Sequence, residues 1–179
     1  MEAQRVMVYG VTGSGKSTLA QRLAERTQLP FVAVDELTWR PGWVPVPGEE
    51  QRKIISEVCA GEAWILDHGY GQWLDIVNGR VELIIGLDYP RLLSLSRLVG
   101  RTVGNVLFRR PTCNGNTETL ATAVADDSIL RWHFRSFANK RRRLRDWAAD
   151  PDGPRVLLFS HPRQVERWLS SQRPGGVRS

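Results

Sequence analysis

Cysteine is scarce in this sequence, since Cys59 and Cys113 are the only two among 179 residues. They lie far apart and form no Cys-X-X-Cys pair, and the chain has only three histidines, so the sequence predicts neither a disulfide framework nor a zinc knuckle. The chain also lacks any run of about 18 uncharged apolar residues, which a membrane-spanning helix would need. We therefore expect a cytoplasmic protein that does not enter a membrane.

Lysine is scarce as well, because only three of the 25 basic residues are lysines. Residues 91–145 hold eleven arginines and Lys140 against three acidic residues, a local net charge of +9 in a chain whose net charge is +6. A local excess of this sign indicates an anionic ligand: nucleotide phosphates, nucleic acid or both. An arginine-biased composition would explain the preference for arginine over lysine, but not the clustering.

The composition indicates a single folded domain, with 41% hydrophobic and 25% charged residues. We expect one domain over residues 1–171, as a monomer or homodimer, and a flexible tail without core-forming residues over 172–179. Apolar runs alternate with helical patterns, which predicts an α/β fold: a parallel sheet covered by helices on both faces, with ligands at the carboxyl ends of its strands. Five strands are predicted, of which four end at Gly10, Asp35, Asp67 and Asp88 and the last at Ser160.

Two long helices are predicted in the basic half of the chain. The first runs from Pro90 to about Phe108, and the second follows a polar segment, residues 111–127, that resembles a mobile loop. The first helix has an apolar stripe of Leu92, Leu95, Val99, Val103 and Val106, and the second has one of Leu130, Phe134, Phe137, Leu144 and Ala148. A loop rich in proline and tryptophan is expected over 37–48.

Residues 10–17 match the nucleotide-binding pattern GxxxxGK[ST] and lie between a predicted strand and a predicted helix. In this pattern the glycines let backbone N–H groups surround a phosphate, Lys16 reaches the β and γ phosphates, and Ser17 ligates Mg²⁺. We therefore expect ATP or GTP with Mg²⁺ as cofactors. The predicted nucleotide-binding residues of the loop are Gly10, Thr12, Gly13, Ser14, Gly15, Lys16, Ser17 and Thr18.

Three aspartates end predicted strands and are candidates for the chemistry. Asp67 is preferred over Asp88 as the second magnesium residue, because small residues follow it, whereas Asp88 precedes Tyr-Pro and could cap the next helix. Asp35 could orient or deprotonate an acceptor hydroxyl. For each of the three, a purely structural cap is the alternative.

Arginines flank the polar segment and could stabilise transferred charge when a lid closes, with the lid expected over about 109–128. Solvated helix faces are the alternative for any one of them. The run at 140–145, KRRRLR, suggests either a nucleic-acid patch or a charged helix end. The candidate lid arginines are Arg97, Arg101, Arg109 and Arg110 before the segment, and Arg131 and Arg135 after it.

Several motifs together resemble the adenylate-kinase-like P-loop proteins and, more narrowly, the branch labelled DNA topology modulation proteins. Besides the P-loop they are D-E-L-T-W-R-P-G-W (35–43), W-I-L-D-H-G-Y (64–70) and L-D-Y-P-R (87–91). The branch usually has D-G-N-Y where this chain has Asp67-His68-Gly69-Tyr70. Adenylate kinases have arginines of the AMP site where this chain has Trp39 and Trp43, so AMP is only one candidate acceptor.

The resemblance implies a three-layer P-loop fold whose five parallel strands have the order 2-3-1-4-5, with an ATP site at the P-loop and a short arginine-bearing lid. It implies an acceptor pocket near Asp35 and the tryptophan loop. Arg97 and Arg101 resemble lid-proximal arginines, and Arg135 resembles the far side of the lid. His161 and Pro162, with Ser160, resemble the loop that packs on adenine.

We expect a kinase that transfers the γ-phosphoryl group to a small acceptor, either a nucleotide or another metabolite. Two alternatives remain: a nucleotide-binding ATPase or regulator that acts on nucleic acid through its basic helix, and an ATPase whose acceptor is water or a protein. The residues predicted for catalysis are Lys16, Asp35, Arg97, Arg101 and Arg135; those for Mg²⁺ are Ser17 and Asp67; and Arg101, His161 and Pro162 join the nucleotide-binding loop.

Overall fold

The computed structural model describes residues 2–108, 113–116, 129–174 and 176–178. The strands are β1 (Glu2–Ala3), β2 (Arg5–Gly10), β3 (Phe31–Val32), β4 (Trp39–Arg40), β5 (Val44–Pro45), β6 (Trp64–Leu66), β7 (Leu83–Leu87), β8 (Arg155–Phe159) and β9 (Val177–Arg178). The helices are α1 (Lys16–Thr27), α2 (Val34–Thr38), α3 (Gly48–Ala60), α4 (Leu74–Asn78), α5 (Arg91–Phe108), α6 (Ile129–Ala149) and α7 (Pro162–Ser170), with a short 3-10 helix at Cys113–Gly115.

The central sheet has five parallel strands in the order β3-β6-β2-β7-β8. Numbered along the chain, this is the order 2-3-1-4-5, so the predicted fold is confirmed. Alternate residues of β2 serve the two faces, because side chains along a strand point in opposite directions. Val6 and Val8 pack with α1 and α7, whereas Met7 and Tyr9 pack with α3, α4 and α6. Burial on both faces explains why the strands read as continuous apolar runs.

The second strand of the sheet is shorter than the sequence indicates. It ends at Val32, and Asp35 lies in the first turn of α2 rather than at the end of a strand. The backbone turns into a helix here because the Val34 N–H donates to Asp67 Oδ1 at 3.0 Å instead of continuing the sheet. The predicted loop over 37–48 contains a small hairpin of β4 and β5.

The apolar stripe predicted on α5 does not face the core. Leu92, Val99 and Val103 are exposed, and the buried side of the helix carries Ser94, Leu98, Thr102 and Asn105. The phosphate-binding loop packs on this side, where Gly13 lies against Ser94 and Leu98, so packing with the loop overrides the apolar pattern. On α6, Phe137 and Leu144 are buried as predicted, whereas Phe134 is half exposed.

The end of the chain contributes to the core, contrary to the expected tail without core residues. Val177 is fully buried, and β9 pairs antiparallel with β1. The sequence pattern conceals this because a two-residue strand has no periodicity to detect. The expected lid over 109–128 lies outside the described residues except for 113–116. No helix in the described ranges is long and apolar enough to span a membrane.

Candidate active site

The phosphate-binding loop joins the buried strand β2 to α1. Gly13 and Gly15 have φ of 81° and 90°, values that L side chains rarely adopt. Gly15 precedes the first turn of α1, and no side chain caps that end of the helix. The free N–H groups of the first turn are therefore available to a phosphate, whose charge the helix dipole also favours.

At Gly10 and Gly13 the neighbouring atoms also leave no space for a side chain. A Cβ on Gly10 would lie 2.8 Å from Ser14 Oγ, and one on Gly13 would overlap the Ser94 carbonyl oxygen of α5. The loop is thus held between β7 and α5. Ser14 Oγ is buried, points toward Gly10 and has no hydrogen-bond partner among the described residues.

We predict that Gly13→Ala lowers the affinity for ATP by about tenfold or more, because the clash with α5 displaces the loop. Gly115→Ala is the matched control. Gly115 also has a positive φ, of 75°, but open space surrounds it, so this variant tests backbone strain without the clash. Titration with Mg-ATP measures both affinities. Equal losses in the two variants would contradict a packing role for Gly13.

Lys16 and Asp67 lie together beneath the loop. Burial lowers the pKa of Lys16, while the nearby carboxylates of Asp35 and Asp67 oppose that shift. Asp67 is 4% exposed, and burial raises its pKa against hydrogen bonds from the Ser17 hydroxyl and the Val34 N–H. A hydroxyl and a carboxylate side by side are the oxygen ligands that Mg²⁺ prefers, so Ser17 and Asp67 fit a magnesium site next to the phosphates.

A cavity of about 360 Å³ opens in front of the loop. Arg97 and Arg101 of α5 line it, and Arg97 Nη1 donates to the Ser14 carbonyl oxygen at 3.3 Å while its guanidinium lies over the Tyr89 ring. Two guanidinium groups beside the phosphate loop can stabilise charge on a transferred phosphoryl group. The cavity lining includes Gly13, Ser14, Gly15, Lys16, Ser17, Thr18, Leu19, Arg22, Arg97, Arg101, Pro162 and Glu166.

Besides Asp35 and Asp67, several predicted site residues do not line this cavity. The His161 side chain caps α7 by accepting from the Arg163 N–H at 3.1 Å, so only Pro162 of the predicted adenine loop reaches the cavity. Arg135 is exposed on α6. Gly10 lies against Leu87 of β7. Thr12 is buried, and its carbonyl oxygen lies 3.0 Å from His133 Nδ1. Arg109 and Arg110 lie outside the described residues.

Asp35 lies near Lys16 of the phosphate site and is linked through Tyr70 to a second cavity of about 280 Å³. The Tyr70 hydroxyl donates to Asp35 Oδ1 at 2.7 Å, and Trp39 Nε1 donates to the same hydroxyl at 3.4 Å. Burial and the Asp35 charge raise the pKa of Tyr70, so the phenol remains a donor. One Asp35 oxygen is thus held while the other can accept a proton. This acceptor pocket is lined by Thr38, Trp39, Pro45, Gln51, Tyr70, Gly71 and Gln72.

The sequence analysis missed two asparagines that hold the tryptophan loop. Asn116 Oδ1 accepts from the N–H groups of Gly42 and Trp43 at 2.7 and 3.1 Å. Asn114 Nδ2 donates to the Trp39 carbonyl oxygen at 2.5 Å. These side chains attach residues 113–116 to the backbone of the hairpin of β4 and β5.

Two arginines of the basic run on α6 form ion pairs with an aspartate of the same chain. Arg141 donates to Asp88 Oδ1, and Arg145 Nη2 donates to Asp88 Oδ2 at 2.9 Å. Burial disfavours the charged carboxylate, but the hydrogen bonds from Arg141 and Arg145 outweigh it and hold the pKa of Asp88 below its ordinary value. Asp88 therefore anchors α6 to the sheet.

We predict that Asp88→Asn lowers the free energy of unfolding by about 1–3 kcal/mol at neutral pH, since charged hydrogen bonds are lost. Arg141→Met should have a comparable effect, whereas Arg142→Met, which removes an exposed neighbour, should not. Because the folded-state pKa is lowered, the contribution is present above the ordinary value of 3.8 and is lost as the pH falls below it. Urea denaturation at several pH values measures the effect. Unchanged midpoints for both Asp88→Asn and Arg141→Met would contradict the anchoring role.

Known proteins with related sequences are kinases. The chain is 28% identical over 165 residues to a shikimate kinase from Symbiobacterium thermophilum, covering 81% of this chain and 92% of that protein. It is 29% identical over 124 residues to a shikimate kinase from Stenotrophomonas maltophilia, covering 61% of this chain and 68% of that protein. No protein-family model matches the chain.

The fold is similar to that of a gluconokinase from Sinorhizobium meliloti 1021, with a TM-score of 0.54, 16% identity and coverage of 93% of this chain and 91% of that one. Together the fold, the phosphate site and the related sequences define the chain as a P-loop phosphotransferase. More particularly, its relatives indicate a P-loop kinase of the adenylate-kinase-like type, and such kinases use ATP and Mg²⁺. The relatives do not confirm the DNA topology modulation branch, and they support neither a nucleotide acceptor nor action on nucleic acid.

Proposed function

We propose that the protein transfers the γ-phosphoryl group of ATP to a hydroxyl group of a small metabolite that is not a nucleotide. The observation that carries the proposal is the Asp35 carboxylate, which lies near Lys16 of the phosphate site and accepts a hydrogen bond from Tyr70, a residue of the second cavity. The relatives named shikimate kinase and the structural neighbour named gluconokinase support a hydroxylated acceptor of metabolite size.

Phosphoryl transfer requires that the acceptor hydroxyl lose its proton and that a new bond to the γ phosphorus replace the one to ADP. The acceptor hydroxyl oxygen forms a bond to the γ phosphorus, the bond from that phosphorus to the oxygen bridging it to the β phosphate breaks, and ADP leaves. The hydroxyl proton passes to the free oxygen of Asp35, which Tyr70 keeps in position. Tyr70 cannot take that proton, because its own hydroxyl already donates to Asp35.

Charge on the transferred group is met by three cations of this chain. Lys16 lies under the loop, and Arg97 and Arg101 approach from α5. Ser17 and Asp67 would hold Mg²⁺, which supplies neutralisation of the phosphate oxygens when bound. Preoriented charges in a site sheltered from water act more strongly than the same charges in solution.

The test is ADP release from Mg-ATP in the presence of candidate acceptors: hydroxy acids, sugars, sugar phosphates, nucleosides and nucleoside monophosphates. We expect at least one hydroxylated metabolite to accelerate ADP release and nucleoside monophosphates to have no effect. Stimulation by a nucleoside monophosphate alone would replace the metabolite acceptor with a nucleotide. Uniformly slow turnover would favour an ATPase.

A further inference from the structure

The cationic residues at 140–145 fall on two sides of α6. Arg141 and Arg145, four residues apart, face Asp88 and are neutralised by it. Lys140 and Arg143, three residues apart, lie together on another side, because residues three or four apart share a helix face. In the described part of the chain, no carboxylate lies within ion-pair distance of either of these two side chains.

Lys140 and Arg143 approach the acceptor pocket from the side of α6. Arg143 Nη1 would lie 3.9 Å from a Cβ on Gly71, and Gly71 is part of the pocket wall. Lys140 is half-buried and interacts electrostatically with Lys16, Asp35 and Arg143. The pair therefore lies close both to the phosphate loop and to the carboxylate that meets the acceptor.

The charge balance at this place is unfavourable without a ligand. Burial, together with the charges of Lys16 and Arg143, lowers the pKa of Lys140 to about 7 despite the opposing effect of Asp35. A half-buried cation beside like charges is destabilising unless an anion pairs with it. Bound ATP would neutralise Lys16 with its phosphates. Arg143 interacts with the Tyr9 hydroxyl, which is neutral, so Lys140 and Arg143 would both remain available to a second anionic group.

We infer that Lys140 and Arg143 form an anion subsite for the acceptor, which carries a carboxylate or phosphate group in addition to the hydroxyl that faces Asp35. This inference rests on the proposed function. It assigns the acceptor to the hydroxylated acids or sugar phosphates and excludes neutral sugars and polyols.

The test is calorimetric titration of the full chain, saturated with Mg-ADP, with four probes: gluconate, shikimate, glucose 6-phosphate and uncharged glucose. We expect at least one charged probe to bind about tenfold or more tightly than glucose, as charged hydrogen bonds would give. A carboxylate and a phosphate probe together show which anion the subsite prefers. Equal affinity for glucose and the best charged probe, or no binding of any charged probe, would overturn the inference.

Substitutions on α6 test whether Lys140 and Arg143 cause the preference for a charged probe. Lys140→Met and Arg143→Met should each weaken binding of the best charged probe by about tenfold, whereas Arg142→Met, an exposed neighbour, should leave it unchanged. Lys140→Arg should restore most of the affinity. Arg143 is exposed, so Arg143→Met tests the subsite even if Lys140→Met fails to fold. Full affinity in a folded Arg143→Met variant would overturn the assignment.

When Mg-ATP replaces Mg-ADP in the same samples, phosphorylation of each probe can be measured alongside its binding. The two measurements distinguish failure of the anion subsite from failure of the proposed kinase activity. Rapid phosphorylation of glucose, unaffected by Arg143→Met, would uphold the kinase and overturn the subsite. Tight, Arg143-dependent binding of a charged probe without any phosphorylation of it would uphold the subsite and contradict the kinase.

Discussion

Replacing Lys16 with alanine is expected to lower the rate of phosphoryl transfer by about 10²–10³-fold, the loss typical of removing one preoriented group that stabilises transition-state charge. Lys16 is half-buried at the start of α1, near the carboxylates of Asp35 and Asp67. No other lysine of the described chain lines the phosphate cavity. Water admitted by the smaller side chain would not replace a fixed positive charge.

Lys53→Ala is the matched control for that experiment, because Lys53 is an exposed lysine on α3 and does not line the cavity. Its activity should match that of the unmodified protein. The rate constant for ADP formation at saturating ATP and acceptor measures both variants. A Lys16→Ala protein that folds normally and transfers phosphate at an unchanged rate would contradict the assignment of the phosphate site.

Replacing Asp35 with asparagine is expected to lower kcat by about 10²–10⁴-fold, the range for loss of a positioned general base. The amide has nearly the shape of the carboxylate, and its oxygen can still accept from Tyr70, but it cannot take the acceptor proton. ATP binding should be unchanged, because Asp35 lies outside the phosphate cavity.

The neighbouring Glu36→Gln variant controls for the loss of negative charge on α2, since both residues are exposed on the same short helix. It should retain full activity. Steady-state kinetics with varied acceptor gives kcat and KM separately for each variant. If Asp35→Asn raised only KM and kept kcat, Asp35 would bind the acceptor without taking its proton.

The sequence predicted those parts of the site that lie in one short stretch of chain. Lys16 and Ser17 follow from a contiguous pattern whose geometry is the same wherever it occurs. The sheet order came from the resemblance, and the structure confirms it. Asp67 was preferred from the small residues after it, and the structure places it beside Ser17 and Lys16.

Features that depend on contacts between distant segments could not be predicted. Asn114 and Asn116 bond to backbone atoms more than 70 residues away, and nothing in their local sequence marks them. The exposure of Leu92 depends on the phosphate loop occupying the opposite side of α5, which outweighs hydrophobic periodicity.

The role of the basic run at 140–145 also depends on contacts between distant segments and could not be predicted from the sequence. Its composition suggests a nucleic-acid patch, but the rotation of α6 decides which cation meets which group. That rotation brings Arg141 and Arg145 to Asp88, Arg143 to Gly71 of the pocket wall, and Lys140 to the neighbourhood of Lys16 and Asp35. The local charge therefore indicates an anionic ligand. Only the structure distinguishes the arginines that anchor α6 from the two cations that could bind a ligand.

The most direct test of metabolite phosphorylation follows the terminal phosphate itself. The protein is incubated with Mg²⁺ and ATP labelled at the γ phosphorus, with the acceptor that most stimulates ADP release, and the products are separated. We predict that most of the label appears in an organic phosphate ester of that acceptor, and that Asp35→Asn slows formation of this product by about 10²–10⁴-fold. Label recovered only as inorganic phosphate would contradict the account and identify the protein as an ATPase.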